Sequence, residues 1–223
     1  MPARAAGPTK ERAPLSRRRA LETALAVADA EGLAAVSMRR LARELGVEAM
    51  SLYHHVASKD AILDGMVELV FGEMEHPPAG LDWKAAMLRR GASVRAVLTR
   101  HPWAIGIMQS RTAPGPQTLG HLDAVIGCSL RAGFSVEMAG HATSLIDSYV
   151  YGFVLQEVNL PSQDAGGIEG VVDAVLPDLP RDYPHLARLT VERVMRPGYS
   201  YGDEFDYGLG LLLDALLRDA RAS

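Results

Sequence analysis

The residues best suited to chemistry lie between positions 37 and 60. Ser37 precedes two adjacent guanidinium groups, Arg39 and Arg40. The run Glu48-Ala49-Met50-Ser51-Leu52-Tyr53-His54-His55 then offers small, hydroxyl, aromatic and imidazole groups, and Lys59 follows. This set is fitted to recognition rather than to bond-making. A guanidinium reads guanine through two parallel hydrogen bonds, small side chains let a helix approach base edges, and hydroxyl or cationic groups meet phosphates. Val47, Leu52 and Val56 recur on the other side of the run, where they can lock a short helix onto its neighbours. A solvated helix face is the competing reading for Arg39 and Arg40, and buried packing for His54 and His55. Tyr53 suits both roles, its ring packing and its hydroxyl bonding a phosphate.

Little elsewhere supports catalysis. Glu137 and His141 share a helix face and His121 lies near Asp123, but a di-metal helical bundle needs two Glu-x-x-His motifs and further glutamates. The chain has no Gly-x-Ser-x-Gly elbow, no phosphate-binding glycine loop and no dinucleotide fingerprint. The single cysteine, Cys128, excludes an intramolecular disulfide framework and a thiolate-rich zinc site; between Val125-Ile126-Gly127 and Leu130 it reads as a buried, inert thiol. No enzyme activity, metal or cofactor is expected.

The elements that position these residues are helices. In 223 residues, 48% are hydrophobic and only 6% aromatic, and valine-rich alternating runs are missing. The fold class is all-α. Ser16 caps a first helix from about Arg17 to Glu31, stopped by Gly32. Ser37 caps a second of about two turns, stapled by Val36 onto Leu41 and ended by Gly46. A third is expected from about Glu48 to His55, and Ser58 caps a fourth from Lys59 to about Met74. Short helices joined by a glycine-containing turn are the pattern of a helix-turn-helix. Further helices are expected near 82–100, 103–110, 116–132, 135–158, 184–195 and 203–220, with a loop over 161–183. The domain reading is a flexible basic arm over 1–15, a three-helix helix-turn-helix domain over 16–60 and a larger helical domain over 61–223.

Charge follows the same division. Residues 1–60 carry ten Lys/Arg against seven Asp/Glu, and the remainder thirteen against twenty. A basic head on an acidic body fits a small nucleic-acid module carried by something else.

The head resembles the tetracycline-repressor family of bacterial transcriptional regulators. The resemblance rests on a first helix ending in Gly32, Val36-Ser37-Met38-Arg39-Arg40-Leu41-Ala42, Leu45-Gly46-Val47, Leu52-Tyr53-His54-His55-Val56 and Ser58-Lys59. It implies that Arg39 reads a base, that Glu48, Ala49, Met50 and Ser51 begin the recognition helix, and that Tyr53, His54, His55 and Lys59 flank phosphates. It also implies a homodimer on a palindromic double-stranded operator, with reading helices about 34–36 Å apart. The apolar surfaces available for pairing are Phe205, Leu209, Leu211, Leu212, Leu213, Leu216 and Leu217 on the last helix, with Leu145, Ile146, Val150, Phe153, Val154 and Leu155 on the 135–158 helix.

Asp82-Trp83, His101-Pro102, Arg111-Thr112 and Gly133-Phe134-Ser135-Val136-Glu137 extend the resemblance to the tetracycline-repressor branch itself. That branch binds small molecules beneath the fourth helix, and binding releases DNA. Its tetracycline-anchoring positions fall here on Glu75, Arg90, Met108 and Gln156, so a magnesium-chelated tetracycline lacks its anchor. A largely apolar effector is expected instead, against Trp103, Ile107, Met108, Ile126, Tyr149, Phe153 and Gln156. Core packing is the competing reading for each. A small-molecule-binding protein and a non-specific nucleoid-type DNA binder remain the alternative functions. No 18-residue apolar stretch and no apolar leader are present, so a cytoplasmic protein with no membrane partner is expected.

Overall fold

The computed structural model describes residues 14–108, 110–111, 113–160 and 179–222. The expected arm over 1–13 and the expected loop over 161–178 lie outside them. The described residues are helical, with no strand. In chain order the helices are α1 (Arg17–Glu31), α2 (Met38–Leu45), α3 (Ala49–Tyr53), α4 (Lys59–Glu73), α5 (Trp83–Arg100), α6 (Ala104–Met108), α7 (Pro116–Arg131), α8 (Val136–Glu157), α9 (Leu179–Asp182), α10 (Pro184–Leu189, continued by a π-turn at Thr190–Val194) and α11 (Asp203–Ala222).

The caps follow local chemistry. Ser16, Ser37, Ser58, Asp82 and Ser135 each accept a hydrogen bond from the N–H three residues on, so the first free donors of five helices are satisfied within the chain. Gly46 ends α2 at φ 67°, the left-handed region a side chain disfavours. Its N–H bonds Arg43 O while Val47 N–H reaches Ala42 O, which closes the helix and redirects the chain into α3. The third helix is shorter than expected, because Glu48 is the cap position and the chain turns again at His54.

The core runs continuously from head to body. Ala24, Leu41, Leu52 and Val56 of the head share one apolar cluster with Ile62, Met66 and Val70 of α4 and with α5, α8 and α11 beyond. α4 is the common wall, packing on α1 on one side and on α6 and α7 on the other. Its approach to α1 is very close: a β-carbon at Gly65 would lie 2.6 Å from the Leu21 methyl groups. α5, α8 and α11 form the other half of the body, where Phe205 and Leu209 are fully buried. Among the described residues no helix is long and apolar enough to cross a membrane.

A polar strut joins head and body outside the apolar core. Asp29 Oδ1, near the end of α1, accepts from Trp103 Nε1 at 2.7 Å and lies 2.7 Å from His101 Nδ1. The other imidazole nitrogen of His101 lies 3.3 Å from Glu73 of α4, which also pairs with Arg100. Asp29→Ala is expected to cost about 1–3 kcal/mol in denaturant unfolding, since it strands buried His101 and frees the end of α1. An unchanged midpoint would show that the apolar contacts alone seat the head.

Candidate nucleic-acid interface and an internal cavity

The head leaves most of the expected reading residues exposed. Leu52 and Val56 are completely covered and Val47 partly so, which fixes how α3 is rotated. Glu48, Met50, Ser51, Tyr53, His54 and His55 are consequently exposed, Met50 at 72%, while Ala49 is half-buried. His54 and His55 sit in the turn after α3, beyond the stretch that Leu52 anchors, and their exposure goes against the competing packing reading. Arg39 is exposed, with no ion pair among the described residues. Lys59 is exposed at the first residue of α4, beside the cap made by Ser58.

Two head residues are committed elsewhere. Ser37 Oγ accepts the Arg40 N–H, so only its hydroxyl proton is free for a phosphate. Arg40 is held between Glu31 of α1 and Glu44 one turn along α2. The expectation that both arginines face DNA therefore divides: Arg39 is open, and Arg40 braces α2 against α1.

Beneath α4 lies a cavity of about 640 Å³. α4 contributes Asp64, Val67, Glu68 and Phe71, α6 contributes Met108, α7 contributes Thr118 and Leu122, and α8 contributes Ser144, Asp147, Ser148 and Tyr151. Arg111 closes one side, 3.1 Å from Asp64 and 3.3 Å from Asp60. The walls are thus mixed, with three carboxylates and one arginine among apolar groups. Among the described residues no group of three or more His, Cys, Asp or Glu is placed to hold a metal ion.

Behind Asp147 sits a buried polar cluster. Arg90 of α5 is completely covered; its Nη1 lies 2.7 Å from Asp147 Oδ1, and Nε donates to His121 Nε2 at 3.1 Å. Burial, reinforced by Arg90 and His76, holds the His121 pKa down at about 3 from its ordinary 6.5, so the ring is neutral and can accept from the guanidinium. Burial, with Asp147 close by, pushes the Tyr151 phenol well above its usual range and keeps it a hydrogen-bond donor.

Of the expected ligand-facing residues, only Met108 lines this cavity. The others do not border it. Tyr149 donates to the carbonyls of Glu204 and Phe205, Phe153 stacks on Tyr201 at 4.8 Å, and Gln156 accepts from the Tyr201 hydroxyl. All three occupy the face of α8 turned to the α11 side, opposite the Ser144–Asp147–Ser148–Tyr151 stripe. Trp103 points to Asp29, Ile107 is packed in the core, and Ile126 lies on the outer side of α7. The polar signal lay in Asp64 and Glu68 at i, i+4 within the apolar middle of α4, and in the serine and aspartate stripe on α8. Cys128 is half-buried rather than buried, and burial raises its thiol pKa. Glu137 and His141 form an exposed surface pair at 3.7 Å.

Asp147→Ala should destabilise by about 3–5 kcal/mol, because it leaves the Arg90 charge buried without its carboxylate. Recovery of most of that loss with Arg90→Met in the same chain is the expected control; no recovery would remove the ion pair as the cause. His121 also gives a pH signature. Its folded pKa lies below the unfolded value, so its contribution is complete above about pH 6.5 and is lost as pH falls towards 3, with a slope of up to about 1.4 kcal/mol per pH unit. Unfolding midpoints of wild type and His121→Asn between about pH 7 and 4.5 should diverge accordingly, the variant being flatter. Parallel curves would show that His121 does not titrate against the fold.

Comparison with known proteins agrees with this geometry. Residues 20–66 match the family model for bacterial regulatory proteins of the tetR family, and residues 76–219 match the tetracyclin repressor-like C-terminal domain. The chain is 34% identical over 210 residues to the HTH-type transcriptional repressor DrrR1 of Streptomyces coeruleorubidus, covering 89% of this chain and 76% of that one. It is 29% identical over 183 residues to the class E tetracycline repressor protein of Escherichia coli, covering 80% and 84%. A crystal structure of the Streptomyces coelicolor TetR family protein ActR in complex with actinorhodin superposes with a TM-score of 0.76 at 29% identity, covering 93% of this chain and 99% of that one.

Proposed function

Since this chain belongs to the tetracycline-repressor family, whose members are DNA-binding transcription factors and not enzymes, we propose that it is a homodimeric repressor of a palindromic operator, released when a small molecule fills the cavity beneath α4. The observation that carries the DNA reading is the rotation of α3: Leu52 and Val56 are buried, which leaves Glu48, Met50, Ser51 and Tyr53 exposed, and Arg39 of α2 is exposed as well. One such head reads too few base pairs for specificity, and a two-fold pair sets two heads about one helical turn apart.

The pairing surface lies on α8 and α11. Leu145, Leu155, Tyr207 and Leu211 are exposed there, and Leu145 borders a groove completed by Leu212, Ala215 and Leu216. Phe205, Leu209 and Leu213, by contrast, belong to the core of one subunit. Pairing on this surface is supported by the need to keep its exposed leucine side chains out of water, with Arg218 and Asp219 bordering the groove.

The effector follows from the cavity walls. Val67, Phe71, Met108 and Leu122 favour an apolar body, while Asp64, Glu68 and Asp147 favour donors such as ammonium or hydroxyl groups. An amphipathic molecule carrying donors fits these walls better than the largely apolar one expected from the sequence.

Selection of bound sites from randomised duplex DNA at near-physiological salt should enrich a palindrome; uniform recovery of sequences would overturn the operator reading. On the enriched site, Arg39→Ala should cost about 1–3 kcal/mol and relax preference at one position per half-site. Lys59→Ala should weaken all sequences alike and flatten the salt dependence. Identical specificity profiles for both variants would reject this assignment of roles.

A further inference from the structure

Glu68 belongs to three structures at once. It stands on α4, its carboxylate forms part of the cavity wall, and the same carboxylate caps another helix. Oε2 accepts the backbone N–H of Gln117 at 2.7 Å, and Oε1 accepts the N–H of Thr118 at 3.2 Å and its hydroxyl at 2.6 Å. Gln117 and Thr118 are the second and third residues of α7, whose own cap position, Gly115, has no side chain to offer. Helices ordinarily take this acceptor from their own N-cap residue. Here it comes from a different helix. Gly115 makes room for it, since a β-carbon there would collide with the Glu68 carboxylate. Its φ is −90°, open to any residue, so the position is used for its missing side chain and not for backbone freedom.

The neighbours sharpen the point. Pro116 begins α7 and has no N–H, so the donors that Glu68 receives are the first that α7 presents. One turn before Glu68, Asp64 is engaged by Arg111. α4 is therefore tied by polar contacts on the same side that faces the cavity, while Gly65 sits hard against Leu21 of α1 on the other side.

On the reading of the cavity as the effector site, we propose that Glu68 is the positioning residue that transmits occupancy of the cavity to the DNA-reading head. An effector that presents an ammonium or hydroxyl donor takes the carboxylate away from Gln117 and Thr118. α7 loses its cap, α4 loses its tie, and the displacement passes through the Gly65–Leu21 contact to α1. A molecule of the same shape without a donor leaves the carboxylate in place.

Two variants of the full chain separate this tie from simple helix stability. Glu68→Ala removes both the cap and the link. Glu68→Ala combined with Gly115→Asp returns a cap to α7 from its own cap position, without any link to α4. Hydrogen exchange of wild type and both variants reads the two helices separately. In Glu68→Ala the amides of α4 and of the start of α7 should both exchange faster, and the melting temperature should fall. In the double variant α7 protection and melting temperature should return to wild type, while α4 stays less protected. Binding to the duplex enriched by wild type should then remain weakened, about 5- to 150-fold. Recovery of α4 protection together with α7 would overturn the proposal by reducing Glu68 to a stabiliser of α7, and so would unchanged exchange in Glu68→Ala. If wild type enriches no duplex, the operator reading fails, and the exchange data still decide whether the tie exists.

Discussion

α4 is held at close clearance from both sides, and the remaining architecture is arranged around that constraint. Towards the head, Gly65 lets the Leu21 side chain of α1 rest almost on the α4 backbone. Towards the body, Glu68 reaches across to the start of α7. Packed interiors resist continuous deformation, so an element gripped in this way moves with its neighbours or not at all. The Asp29–His101–Glu73 strut runs alongside and adds a second connection between α1 and the end of α4. A change at the cavity wall thus has few ways to dissipate before it meets α1.

Electrostatics divide the molecule in a way that net charge conceals. The basic character of the head is partly consumed internally, because Glu31 and Glu44 claim Arg40 to brace α2 against α1. Arg39 and Lys59 remain outward, as do Arg17 and Arg43 among the described residues; such cations can meet a base edge or a phosphate. The body uses its acidic residues inward as well as outward, with Asp64, Glu68 and Asp147 on the cavity wall.

The head was legible in the sequence because its architecture is set by short-range chemistry. Ser16, Ser37 and Ser58 cap where they stand, Gly46 turns where it stands, and the spacing of Val47, Leu52 and Val56 fixes which side of α3 is buried. The family resemblance and the all-α class followed from the same residues. The cavity was less legible. α8 is apolar on more than one side, so periodicity does not say which side meets α11 and which meets α7, and Tyr149, Phe153 and Gln156 turned out to serve the former. The cap on α7 was invisible to sequence for a related reason: its acceptor lies 49 residues upstream of Gln117. Exposure of His54 and His55 depended on where α3 stops, a boundary that shifts by a residue or two with no change in pattern.

The buried cluster beneath the cavity has a historical consequence. Arg90 comes from α5, His121 from α7 and Asp147 from α8, so three separate helices each supply one member of a single polar group, with Arg90 and His121 fully covered and Asp147 at the cavity wall. Loss of any one member leaves the others with unmet charge or an unmet donor. The three positions therefore cannot drift independently through neutral substitution. Among descendants of a common ancestor they are expected to change as a set, and lineages in which they have changed are those in which the floor of the cavity has been rebuilt.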